Sequence, residues 1–235
     1  MTSVRIRRGF AFAGALVVLF VAVMGFAHTR AGRPLLVAMG RAFRGGGAGC
    51  PLGYDKAATP AEHEQAKARF ATLHHGATAA VARPALGFVL GETTRGEIVS
   101  RMATSGIACE RSRAADLVCK QVPSAVLGAV SPGGPSRELW FTFGTRDQLL
   151  WLVALARAPS AGVISAAFNE ATQVVADHAG PATRTSGAAD AATLASGVLR
   201  QASAEFRFTN YYAEARATNM GSGYLLTEEY RSLVD

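Results

Sequence analysis

Cys109 and Cys119 stand ten residues apart and flank the polar, turn-forming stretch 110–118 (ERSRAADLV). A hairpin folded over that stretch would set the two thiols opposite each other on neighbouring strands. A disulfide there would indicate an oxidising compartment, outside the inner membrane. Two buried free thiols are the other reading, and both stay open on the sequence. The third cysteine, Cys50, lies in Gly49-Cys50-Pro51, so a free thiol or an intermolecular bridge is open for it. Gly-Ala-Gly-Cys has the look of a lipobox, but the apolar run that should precede it ends 23 residues upstream, at Ala27. No second Cys or His stands at ligand spacing from Cys50, so no metal site is assigned.

The other reactive types are scattered. His63-Glu64 begins an H-E-x-x-H zinc motif, but Lys67 occupies the position of its second histidine. His74 and His75 are the only paired histidines, and they are where an envelope hydrolase would have to start. Glu228 and Glu229 are adjacent; on a strand they point to opposite faces, so they pair with arginines or meet water rather than converge on a substrate. Tyr211, Tyr212, Tyr224 and Tyr230 gather near the C-terminus. They form either a recognition surface or part of the core and sheet face. G-x-S-x-G, G-x-x-x-x-G-K-[ST] and C-x-x-C are all missing from the sequence. No catalytic, cofactor-binding or metal-ligating residue is assigned.

The charge pattern locates the chain better than it explains it. Of 235 residues, 24 are Lys or Arg and 17 are Asp or Glu, a net charge of +7. Seven arginines and no acid fall within residues 1–44, which leaves residues 45–235 neutral overall. A nucleic-acid partner is therefore not expected. Lysine occurs 3 times, arginine 21 and alanine 46, a composition typical of a GC-rich genome.

Residues 1–9 form a basic N-terminal segment with Arg5, Arg7 and Arg8. Residues 10–27 (FAFAGALVVLFVAVMGFA) carry no charge or hydroxyl. As a helix this run is about 27 Å long, near the thickness of a bilayer core. It reads as a transmembrane signal-anchor, or as a long signal-peptide h-region cleaved between Ala27 and His28. Three arginines before the span and four after it leave the orientation open. Residues 28–58 form a juxtamembrane basic and Gly-rich linker, in which Arg30, Arg33, Arg41 and Arg44 are placed to meet lipid headgroups.

Residues 59–235 read as an α+β domain with antiparallel sheet. Thr59-Pro60-Ala61-Glu62 is a capping box that opens a helix over 60–75, and Gly76 ends it. Residues 86–90 read as a strand. Thr94-Arg95-Gly96-Glu97 caps a second helix over 95–105, with Ile98, Val99 and Met102 inward. Strands follow at 107–111 and 116–122, then at 139–143 with Leu139, Phe141 and Phe143 inward. The near-continuous apolar run 148–156 belongs in the middle of a sheet. Ser160 caps a third helix over 161–179, with His178 at the edge of its apolar stripe. Residues 182–192 read as a linker, and 193–204 are open between helix and strand. Residues 205–218 alternate as a strand whose phase shifts near Asn210-Tyr211, the mark of a β-bulge. A last strand runs from 224 to 231. Helix and hairpins thus alternate twice, and two repeats over 85–157 and 158–235 are expected.

The run Leu90-Gly91-Glu92-Thr93-Thr94-Arg95-Gly96-Glu97-Ile98, followed by Met102, resembles the glycine-threonine-helix opening of the small outer-membrane assembly lipoproteins of the SmpA/OmlA type. Tandem copies of a similar helix-plus-sheet unit make up the β-lactamase-inhibitor-protein fold, which the resemblance implies here. Lipidation is not implied, since the lipobox is missing. As a whole the chain looks like membrane-anchored envelope proteins of high-GC bacteria, myxobacteria among them, on segments such as 83–88 (RPALGF) and 217–221 (ATNMG). That resemblance brings no activity with it.

The expectation is a non-enzymatic binding or assembly module without a cofactor. It is held in the inner membrane by one span, with the C-terminal domain in the periplasm. Its partners would be membrane lipid and another envelope protein. Secretion after cleavage near Ala27, a cytoplasmic domain, and a hydrolase with an unfamiliar site are the alternatives.

Overall fold

The chain divides into two units, Met1–Ala58 and Thr59–Asp235. The computed structural model describes residues 60–112, 115–128 and 134–234. The apolar run at 10–27, the arginines at 30–44, Cys50 and the Thr59 cap lie outside the described residues. Among those described, no helix is long and apolar enough to cross a membrane.

The second unit is α+β, with antiparallel sheet throughout. Helix α1 (Pro60–His74) leads to a two-residue hairpin, β1 (Pro84–Ala85) and β2 (Phe88–Val89). Next come α2 (Arg95–Thr104) and four strands: β3 (Cys109–Glu110), β4 (Leu117–Val122), β5 (Arg137–Phe143) and β6 (Leu149–Ala158). Helix α3 (Ala161–Ala179) then precedes β7 (Arg184–Ser186), a short α4 (Ala191–Ala195), β8 (Gln201–Arg207), β9 (Tyr211–Asn219) and β10 (Tyr224–Ser232). The main sheet has eight strands in the order β3-β4-β5-β6-β10-β9-β8-β7. Each half is thus a helix followed by a four-strand meander, and the last strands of the two meanders, β6 and β10, pair at the centre.

One sheet face and the helices enclose the core. On β5 the odd positions 137–143 are buried and the even ones half-buried, which follows from the period of two. α3 presents Ile164, Ala167, Phe168, Ala171, Val175 and Ala179 at helical spacing and packs on β6, β9 and β10. The sheet meets it with Ala213, Ala215 and Ala217 of β9 and Ala202 and Ala204 of β8, all buried. Alanine against alanine lets the helix approach the sheet closely, which gives the alanine-rich composition a structural use. At α2 the capping box forms: Thr94 Oγ1 accepts from Glu97 N, and Thr94 N donates to Glu97 Oε2 at 2.7 Å. Ile98 and Met102 are fully buried, while Val99 points outward.

Several expectations are corrected. The strand read at 86–90 is broken by a turn at Leu86-Gly87, both in the left-handed region (φ 52° and 76°), which folds 84–89 into the β1–β2 hairpin. The phase shift near Asn210 is a hairpin and not a bulge: the chain turns through Phe208–Asn210, and Arg207 faces Tyr212 across the new pair. The stretch 182–192 is structured, holding β7 and the start of α4, with Asp190 accepting from Thr193 N at 2.8 Å. Ser160 sits at the N-cap of α3 without a capping bond from its side chain. His178 is exposed, its Nδ1 2.9 Å from Val174 O one turn back, and takes no part in the core edge.

Candidate functional site

Glu-x-Arg occurs on three neighbouring strands: Glu205-Phe206-Arg207 on β8, Glu214-Ala215-Arg216 on β9 and Glu229-Tyr230-Arg231 on β10. With a period of two, both charged members of each pair point to the sheet face opposite α3. Register then sets Glu205 opposite Glu214, and Glu214 opposite Glu229, so three carboxylates lie abreast. Like charges directly opposite are unfavourable by themselves. Each glutamate is compensated along its own strand. Arg207 Nη2 donates to both oxygens of Glu205 at 2.8 Å, Arg231 Nη2 donates to Glu229 Oε1 at 3.0 Å, and Arg216 pairs with Glu214.

The last turns of α1 sit on this row. Tyr212 OH lies between Glu205 Oε1 (3.3 Å) and Glu214 Oε2 (3.1 Å). His74 Nδ1 is 3.3 Å from Glu205 Oε1; its ring stacks on Phe70 at 4.1 Å and stands edge-on to Tyr212 at 4.5 Å. Arg231 lies between two rings, 3.7 Å from the centre of Phe70 and 4.1 Å from that of Trp151. Before Phe70, Gln65–Arg69 of α1 are all exposed, and the ring contacts with the row come from the helix's C-terminal end. Gly76 makes that contact feasible: a Cβ there would stand 2.0 Å from Arg207 O.

The outer carboxylates of the row differ. Burial works to raise Glu205, but the bond and charge of Arg207, with His74 adding to them, hold it below the ordinary carboxylate range. Burial raises Glu229, and Glu214 beside it adds to the rise against the pull of Arg231. Burial, with Glu214 and Glu205 adjacent, lifts the Tyr212 hydroxyl far above its usual value. The row therefore carries a firmly ionised carboxylate at one end and one more easily protonated at the other.

No family model, curated protein or solved structure matches this chain.

Toward the first half the face turns aromatic and apolar. Trp140 of β5 stands opposite Val153 of β6, and Thr142 opposite Trp151. Both tryptophans are half-buried, and Trp140 Nε1 donates to Glu138 Oε1 at 2.8 Å. Trp and Arg side by side on a partly open sheet are residue types that dominate binding energy at protein interfaces. His74 with Glu205 could pass a proton. Among the described residues, however, no hydroxyl or thiol is hydrogen-bonded to the His74 Nε2, and no three His, Cys, Asp or Glu residues could hold a metal ion.

Cys109 and Cys119 are directly opposed across β3 and β4, with Cα atoms 4.3 Å apart, and form a disulfide. The four tyrosines do not form one surface. Tyr211, Tyr212 and Tyr230 are buried, because β9 and β10 lie near the middle of the eight-strand sheet, with α3 on one face and the end of α1 on the other. Tyr224 is half-exposed at the far end of the sheet. His75 is exposed and does not join His74. Glu229 belongs to the charged row, whereas Glu228 lies on the opposite, helix-covered face, where Arg137 Nε donates to it at 2.7 Å and Tyr230 OH at 2.7 Å. The Glu-x-Arg row escaped the sequence reading, although EFR, EAR and EYR recur at a spacing suited to strands; only the pairing register shows that they stand abreast.

Proposed function

We propose that this chain is a membrane-anchored protein of the bacterial envelope whose α+β domain binds another envelope protein, without catalysing a reaction. The partner meets the part of this sheet face that α1 leaves open, which carries Trp140 and Trp151 beside the Glu-x-Arg row. The carrying observation is the meeting of two half-buried tryptophans, Trp140 and Trp151, with Arg231 on one face of the sheet. The Cys109–Cys119 disulfide supports a domain outside the inner membrane, since such bridges persist in oxidising compartments. The uncharged run 10–27 supports the anchor.

A photoreactive side chain placed at Trp140 in the full-length chain, irradiated in intact membranes, should yield a discrete protein adduct. The same group at Asp177, on the exposed side of α3, should not. Equal labelling at the two positions, or none at either, would end this reading. A hydrolase built on His74 and His75 is the weaker reading, because the two rings do not converge.

A further inference from the structure

We propose that the end of the sheet formed by Val198, Leu199 and Met220 docks shallowly into the surface of an anionic phospholipid bilayer. The inference rests on the reading of the chain as membrane-anchored, and it adds a second lipid contact made by the folded domain itself.

Three large apolar side chains stand in solvent at this end: Val198 at 67%, Leu199 at 70% and Met220 at 49% exposure. They belong to two loops held against each other, one before β8 and one between β9 and β10. Leu199 N donates to Asn219 O at 2.8 Å, and Asn219 N donates to Arg200 O at 2.9 Å. Asn219, buried between the loops, donates from Nδ2 to Leu194 O at 2.9 Å and accepts from Gly221 N at 2.8 Å. The apolar tips are thus fixed in place by a polar strut.

Leu199 is held in the left-handed region, at φ 61°, where a leucine is strained. That strain persists only where the surroundings impose it. Here they impose it on a side chain that buries little in the isolated domain. The arrangement gains its apolar burial only when something covers the tip.

Charge and side-chain type point to lipid. Residues 157–163, 195–201 and 216–225, which build this end, contain Arg157, Arg200 and Arg216 and no Asp or Glu. All three arginines are exposed, and Arg216 also pairs with Glu214. The acids that flank the Val198 loop in sequence are both engaged, Asp190 in capping α4 and Glu205 with Arg207 and His74. Tyr224 lines an open cleft of about 500 Å³ between the loops, together with Pro159, Val198 and Asn219. Apolar tips, a tyrosine with one wet end and arginines without acids are the elements of an interfacial lipid contact. The apolar groups enter the acyl boundary, the phenol sits at headgroup level, and the guanidinium groups meet phosphate.

The test uses the full-length chain reconstituted into vesicles of phosphatidylethanolamine and phosphatidylglycerol. p-Benzoylphenylalanine is placed at Leu199, at Met220 or at Val81. Val81 is 95% exposed and lies beside Ala80, which is tied to Asn210 at the opposite end of the sheet. After irradiation, lipid adducts are counted by mass spectrometry. Leu199 and Met220 should label lipid several-fold more than Val81, and the excess should fall several-fold in phosphatidylcholine vesicles or in the R157Q/R200Q variant. Equal labelling at all three sites overturns the docking. So does labelling at Leu199 that yields only protein adducts in native membranes, which would assign the tip to a protein partner. A chain that does not float with the vesicles overturns the anchor and the docking together, whereas one that floats with equal labelling overturns the docking alone.

Discussion

Arg137 and Glu228 form an ion pair inside the core, with side-chain exposures of 4% and 0%. Arg137 comes from β5 and Glu228 from β10, and the guanidinium reaches over β6, where the residues beneath it are Ala154 and Ala156. Larger side chains there would block the bond. Burial works against the Arg137 charge, and Glu228 beside it more than restores it, leaving the guanidinium firmly protonated. Ser124 Oγ accepts from Nη1 at 3.1 Å and Tyr230 donates to the carboxylate, so both charges have further partners. Glu228→Gln should destabilise the domain by about 3–5 kcal/mol, because it leaves a buried charge uncompensated. The double change Arg137→Met with Glu228→Leu should recover most of that loss, as measured by urea unfolding. On the other face, the carboxylate row predicts opposite responses to pH. Glu205, lowered in the folded state, contributes stability above its unfolded pKa and loses it as pH falls through its folded value. Glu229, raised in the folded state, weakens the fold as pH rises through its folded value and carries no such cost below its unfolded one. Glu205→Gln should therefore destabilise at neutral pH and Glu229→Gln stabilise. Both effects should shrink toward acid, which thermal unfolding across pH 3–7 can check. The tyrosine types and positions were visible in the sequence, but their burial was not, since it depends on what β9 and β10 lie between.

Where chain chemistry marks both ends of an element, the element is legible. α2 has its capping box and Gly106, and α3 its stripe and Gly180, and both run as their signals indicate. The β8–β9 hairpin was misread because Phe208-Thr209-Asn210 contains no Gly or Pro, so a change of strand looked like a change of phase within one strand. Strand β7 and helix α4 went unread because they are only 3 and 5 residues long, too short for a period of two or of 3.6 to show. The β3–β4 pair is held by few backbone bonds on β3 and by the Cys109–Cys119 bridge. Replacing both cysteines by serine should cost about 2–3 kcal/mol, the range for closing a short loop. The same loss should follow addition of reductant to the wild-type protein, read as a lower urea midpoint. For α1 the sensitive residue is Gly76. Gly76→Ala should push the backbone off Arg207 and release His74 and Phe70 from the row, seen as faster hydrogen exchange in α1 with the core strands unchanged.

Across the whole molecule, compartment decides between the readings. A reporter active only outside the inner membrane, fused after Asp235, should be active, and Cys109 and Cys119 should become reactive only after reduction. A silent reporter with freely reactive thiols would place the domain in the cytoplasm. The strand order also has a consequence for assembly. Among the described residues, β6 and β10 make the one direct strand pairing between the two meanders, along eight registered residue pairs from Tyr224–Ala158 to Arg231–Trp151. Each meander, formed before the other, displays that strand as a bare edge with the same direction of demand. Because the connection from β6 to α3 is only Pro159-Ser160, the second half must return beside its own first half or extend to the first half of another chain. Lengthening that connection should favour closure within one chain, and straightening it should yield reciprocal dimers by strand exchange.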